Sequence, residues 1–171
     1  RYYTHCDRCG VLIRNSDVYR HEDDYLCRDC YCDVRESGLI HDYDYTPDLV
    51  FHGKGLRHFG VELEIDEGGK DEDNATCLLA VANHDAVNLY IKSDGSLDDG
   101  LELVTHPMTL EYHLHEMPWE KVLDKAKQLD YRSHSTNTCG LHVHMCRMAF
   151  GCTYETQEEC IARLVFFVEK F

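Results

Sequence analysis

Four cysteines near the amino end constrain this chain more than any other feature. Cys6-Asp7-Arg8-Cys9-Gly10 and Cys27-Arg28-Asp29-Cys30 are two CxxC pairs, with seventeen residues between Cys9 and Cys27. Two such pairs offer four thiolates that can close a tetrahedron around Zn²⁺. Within each pair the intervening turn exposes backbone N–H groups to both sulfurs, and Gly10 lets the first turn close. Four thiolates leave no open coordination position, so the expected ion is structural. A segment of about forty residues has too little core to fold without it.

Between the pairs, Val18-Tyr19-Arg20 and Tyr25-Leu26 read as a short hairpin turning through His21 to Asp24, and residues 28–36 read as a short helix. Knuckle, hairpin and helix together resemble a treble-clef or zinc-ribbon module, here residues 1–38. Support of the rest of the chain, or docking of a protein partner, is its expected job. His5, His21 and Cys32 lie nearby as bystanders, and a redox-active thiol set is the competing reading. Residues 39–58 lack helical periodicity and are expected to form a connector. Its Gly53-Lys54-Gly55 is too short a signal to make a phosphate loop.

The net charge is −15. So acidic a surface repels phosphate backbones and argues against nucleic acid as partner, while acidic groups gathered in a cleft would attract divalent cations. No apolar run reaches membrane-spanning length. Six of the ten cysteines are scattered with no pairing plan, which points to reduced thiols and a cytoplasmic setting. Hydrophobic residues make up 43% of the chain, enough for a packed core. Because the sequence opens at Arg1 and stops at Phe171 within an apolar helical pattern, further residues are expected at both ends.

Two segments alternate strictly. In Phe59-Gly60-Val61-Glu62-Leu63-Glu64-Ile65-Asp66, period two sends Phe59, Val61, Leu63 and Ile65 to one face and Gly60, Glu62, Glu64 and Asp66 to the other. Same-face neighbours on a strand sit roughly 6.5–7 Å apart, so two carboxylates there can share a divalent cation or hold two neighbouring ones. In Thr138-Cys139-Gly140-Leu141-His142-Val143-His144-Met145, Gly140, His142 and His144 share a face. Paired imidazoles suit metal or phosphate contact, and the glycine leaves room for close approach of a ligand. A wet charged strand face is the competing reading of the first segment. Satisfied core histidines or a cupin-like metal site compete for the second.

Residues 72–85 carry apolar positions at helical spacing. Leu89-Tyr90-Ile91-Lys92, the Asp94-Gly95 turn and Leu101-Glu102-Leu103-Val104-Thr105 form an expected hairpin. Glu102 falls among Leu and Val, where a carboxylate is costly to bury unless paired or metal-bound. Residues 109–129 are helical, broken near Pro118, with Trp119, Val122, Leu123 and Ala126 on one face. Residues 156–171 form a helix striped by Ile161, Leu164, Val165 and Val168.

The ordered motifs F-G-V-E-L-E, D-G-S-L, L-E-L-V-T-H-P-M and C-G-L-H-V-H resemble the amidoligase family, relatives of glutamine synthetase and γ-glutamylcysteine synthetase. The resemblance spans residues 59 to about 150. It implies an α+β fold over residues 59–171, with an antiparallel sheet and packed helices whose concave face holds ATP and Mg²⁺. By motif it implies Glu62, Glu64 and Glu102 as Mg²⁺ ligands and catalytic residues, with His142 and His144 lining the same face. Asp94 and Ser96, matched only by the D-G-S turn, and Gly140 would lie by the nucleotide. The implied reaction joins a carboxylate to an amine, conceivably a peptide amine, through an acyl phosphate. A metal-dependent hydrolase built on His142, His144 and Glu62 is the alternative enzyme. A zinc-ribbon adaptor on a degenerate ligase scaffold is the alternative without catalysis.

Overall fold

The computed structural model describes residues 2–21 and 23–171. The amino-terminal module consists of two small antiparallel hairpins and a helix. β1 (Tyr3–His5) pairs with β2 (Leu12–Arg14), and β3 (Tyr19–His21) pairs with β4 (Asp24–Leu26). The second hairpin and helix α1 (Arg28–Ser37) are those expected from sequence, whereas the first hairpin was read only as a knuckle. Glu22 and the side chains of His21 and of residues 33–37 lie outside the described residues. Cys6, Ile13, Leu26 and Cys30 form a small buried cluster packed by Val18 and Tyr31. That cluster has little apolar substance of its own, in line with the need for cross-linking.

The remainder is mixed α/β and built on a five-stranded sheet. The strands are β5 (Ile40–His41), β6 (Phe59–Ile65), β7 (Leu89–Lys92), β8 (Leu101–Thr105) and β9 (Leu141–Met145), in spatial order β5-β7-β8-β6-β9. The four long strands are antiparallel neighbours. β5 runs parallel to β7, so the sheet is mixed where a wholly antiparallel one was expected. Ile40 and His41 were assigned to the connector because two residues carry no periodicity from which a strand can be read.

Helices α2 (Glu72–Ala82) and α4 (Trp119–Gln128) pack against each other and, through Ala75, Leu78, Ala82, Val122 and Ala126, close one face of the sheet over Ile65, Leu89, Ile91, Leu101 and Leu103. Asp71 and Thr109 cap α2 and α3 (Leu110–His115) by accepting the backbone N–H three residues on. Pro118 separates α3 from α4.

The last strand and helix behave differently. β9 is a sheet edge, and its apolar face is left open, with Leu141 62% and Val143 60% exposed. In α5 (Tyr154–Lys170) the stripe read as a packing face is largely exposed, including Val165 and Val168. Gly53, at φ +83°, lies against Thr109, where a Cβ would collide with the hydroxyl. Among the described residues, no helix is long and apolar enough to cross a membrane.

Candidate metal centre and acidic cleft

The two CxxC turns converge. One sulfur from each of Cys6, Cys9, Cys27 and Cys30 lies within 4.8 Å of all the others, a set that can hold a metal ion such as zinc. The turns prepare the sulfurs locally: Gly10 takes φ +74°, and the Cys30 N–H points at Cys27 Sγ at 3.5 Å. Burial alone would raise the Cys6 thiol. Backbone N–H groups of Cys9, Cys27 and Arg8 outweigh it and bring the thiol down to about 6. His5 is engaged elsewhere, its Nδ1 3.0 Å from the Gly10 carbonyl, and Cys32 is exposed outside the set.

The sheet face away from the helices carries the charged residues, and strand register decides which of them meet. Glu64 pairs with Glu102 across β6 and β8, Glu62 with His142 across β6 and β9, Gly60 with His144, and Lys92 with Glu102 across β7 and β8. The five candidates Glu62, Glu64, Glu102, His142 and His144 therefore occupy one face, in two neighbouring groups.

In the first group, carboxylate oxygens of Glu64, Asp94 and Glu102 lie within 4.8 Å of one another. Glu64 and Glu102 are 6% and 3% exposed. Glu64 accepts the Gly140 N–H, and Asp94 accepts the Ser96 N–H at 2.7 Å. That backbone bond is the main reason the Asp94 carboxyl sits below its usual range. Glu102 Oε2 is buried without a hydrogen bond, and its nearest cation, Lys92 Nζ, is 3.7 Å away. Burial pushes the Glu102 carboxyl up. Lys92 pulls it down, while Glu62, Asp94 and Glu64 add to the rise. A carboxylate so placed is only partly compensated by Lys92.

In the second group, Glu62 Oε2 is shared by two rings, His144 Nε2 at 3.0 Å and His142 Nδ1 at 3.3 Å. A carboxylate only accepts, so each contact is a hydrogen bond in the tautomer that puts the proton on that nitrogen. Burial acts to raise the Glu62 carboxyl, but the two imidazoles prevail and lower it. Glu62 is thus separated from the Glu64–Asp94–Glu102 set, where the motif comparison grouped it with Glu64. Gly140 lies between the groups. A Cβ there would come 3.2 Å from Glu64 Oε2 and 3.3 Å from His142 Nε2. Ser96 serves the site by its backbone, holding Asp94.

Asp66 is buried where a charged strand face open to water would leave it exposed. β6 ends at Ile65, and Asp66 turns into the protein, 1% exposed. Its carboxylate accepts the N–H groups of Glu67 (2.9 Å), Asp98 (3.0 Å) and Asp99 (2.8 Å) and the Thr138 hydroxyl (2.6 Å). Burial opposes ionisation there, yet Thr138 and the three N–H groups bring the carboxyl down to about 2. It thereby ties the end of the Glu64 strand to the loop before Glu102 and to the approach to Gly140. Strand alternation could not reveal this; an Asp directly following a strand, a common start for a turn, was the available signal. Lys92 was missed as well, although it stands two residues before Asp94. Asp94 and Gly95 further line a cleft of about 450 Å³ with Tyr31 of α1, so the cysteine module borders the acidic face.

No protein-family profile, curated protein or solved structure matches this chain.

Proposed function

We propose that this protein is an ATP- and Mg²⁺-dependent carboxylate–amine ligase of glutamine synthetase-like fold, acting in the cytoplasm, with Zn²⁺ held by Cys6, Cys9, Cys27 and Cys30. The observation that carries the reading is the Glu64–Asp94–Glu102 set, with a buried Glu102 oxygen that lacks a hydrogen bond. Hard oxygen donors from three side chains suit Mg²⁺, which keeps waters and phosphate oxygens in its remaining positions. Zinc instead fits the four thiolates.

Mg²⁺ held by Glu64, Asp94 and Glu102 would neutralise the charge of the nucleotide phosphates. The substrate carboxylate oxygen attacks the γ-phosphorus, ADP leaves, and an acyl phosphate results. The amine nitrogen then attacks the acyl carbon, phosphate departs, and the nitrogen gives up a proton as the amide forms. Glu64, Asp94 and Glu102 would hold the cation. Glu62 orients both imidazoles. In the tautomer that donates from Nδ1 to Glu62, the His142 Nε2 carries the lone pair, the form needed to take the proton from the amine. Such a reaction depends on positioning and charge neutralisation more than on a protein nucleophile.

The test is ADP release with Mg²⁺-ATP and panels of carboxylates and amines. Release that requires both substrates supports the reading, and nucleotide hydrolysis indifferent to amine counts against it. For the hydrolase reading, a transition metal on Glu62, His142 and His144 should drive water-dependent cleavage.

A further inference from the structure

Lys92 is the positively charged member of a face on which Glu62, Glu64, Asp94 and Glu102 gather. Register places it directly opposite Glu102, and its side chain is only 12% exposed. Its Nζ lies 3.7 Å from Glu102 Oε2, beyond hydrogen-bond reach, and 4.9 Å from the centre of the Tyr43 ring. The contact with Glu102 is therefore one of charge without a fixed bond, and such a contact exchanges readily. Among the described residues, the three carboxylates of Glu64, Asp94 and Glu102 stand beside this ammonium. A divalent cation on Glu64, Asp94 and Glu102 would take over the balancing of Glu102 and leave the ammonium beside the bound metal.

We propose that Lys92 binds the phosphoryl oxygens of the nucleotide. In the metal-free protein it serves as countercharge to Glu102, and when a divalent cation takes Glu102 it passes to the phosphate that the cation brings. This rests on the ligase reading above. It makes Lys92 a competitor of the metal and an ally of the nucleotide, two effects of opposite sign that a structural ion pair would not produce together. The Tyr43 ring, from the connector, holds the ammonium near the cleft by cation–π attraction while it changes partners.

The experiment compares wild type, Lys92→Met, Lys92→Gln, Lys92→Arg and Glu102→Gln. Mn²⁺ alone is titrated by the electron paramagnetic resonance signal of the free ion, and Mn²⁺-ADP by calorimetry, with thermal melts alongside. Removing the ammonium by either neutral substitution should tighten Mn²⁺ by about tenfold or more, since a positive charge beside one of the ligands repels the ion. It should weaken Mn²⁺-ADP by about tenfold or more. Lys92→Arg keeps the charge and should stay near wild type in both. Mn²⁺ affinity unchanged or weakened in the neutral variants, or unaltered Mn²⁺-ADP binding, overturns the assignment of Lys92 and leaves the carboxylate site standing. Wild-type Mn²⁺ binding that is indifferent to Glu102→Gln removes the carboxylate site itself, and the role of Lys92 goes with it.

Discussion

Cys6, Cys9, Cys27 and Cys30 are brought together by two local turns, while Glu64, Asp94 and Glu102 are brought together by strand register and one loop. The cysteines have almost no core to lean on, only Ile13, Leu26 and their neighbours. The carboxylates stand on a sheet whose other face is packed by α2 and α4. The first set is complete with four protein ligands. The second has three and keeps room for water or substrate. In one region an ion would make the fold; in the other the fold makes room for an ion.

The sharpest way to break this contrast is to remove the metal from the cysteines. Cys27→Ser/Cys30→Ser should lose one zinc per chain by elemental analysis and unfold residues 1–38. A bound structural zinc supplies on the order of 10 kcal/mol in modules of this kind. Hydrogen exchange should show the module open while the β6–β8 strands stay protected. Full zinc retention would defeat the assignment of these ligands.

Carboxylate removal should have the reverse character. Glu64→Gln or Glu102→Gln should cost about 3–4 kcal/mol of transition-state stabilisation, a hundredfold or more in ligation rate. The metal-free melting temperature should hold or rise, because each change relieves crowding among Glu62, Glu64, Asp94 and Glu102. Wild-type ligation by both variants would reduce the face to a solvated strand surface.

Asp66 gives a smaller effect on the sheet itself. Its carboxyl falls from 3.8 to about 2 on folding. A depressed carboxyl contributes stability in full above its unfolded value and loses it as pH falls through the folded one. Asp66→Asn should therefore destabilise by about 2 kcal/mol at neutral pH and flatten the loss of stability between about pH 4 and 2. Denaturant melts across that range provide the check, and an unchanged acid limb would show that Asp66 is not the clamp described. Smallest is Gly140→Ala. Its Cβ would press on Glu64 Oε2 and His142 Nε2, so a few-fold loss of Mn²⁺ affinity, about 1 kcal/mol, is expected. Cation binding unaffected by this methyl group would mean that the two groups do not abut at Gly140.

Periodicity alone gave the two faces of β6 and β9, because side chains alternate along any strand. It therefore separates Glu62 and Glu64 from Val61 and Leu63 by local geometry alone. The CxxC spacing likewise carried the cysteine set, since two short turns need no distant partner. What periodicity cannot carry is register. Nothing in Leu101–Thr105 states that Glu102 lies opposite Glu64, or that Glu62 turns to the imidazoles and leaves its place to Asp94. Those relations come from which strands pair and by what offset. The same limit hid β5, which is only two residues long, and the fate of Asp66, which a loop from elsewhere in the chain draws inward. The amphipathic stripe of α5 was legible and yet stayed exposed, for a pattern shows that a face can be buried and not what covers it. Composition and spacing decided the ligand types and the strand faces, which are local properties of the chain. Only the tertiary structure decided which charges meet, because that depends on contacts between residues far apart in sequence.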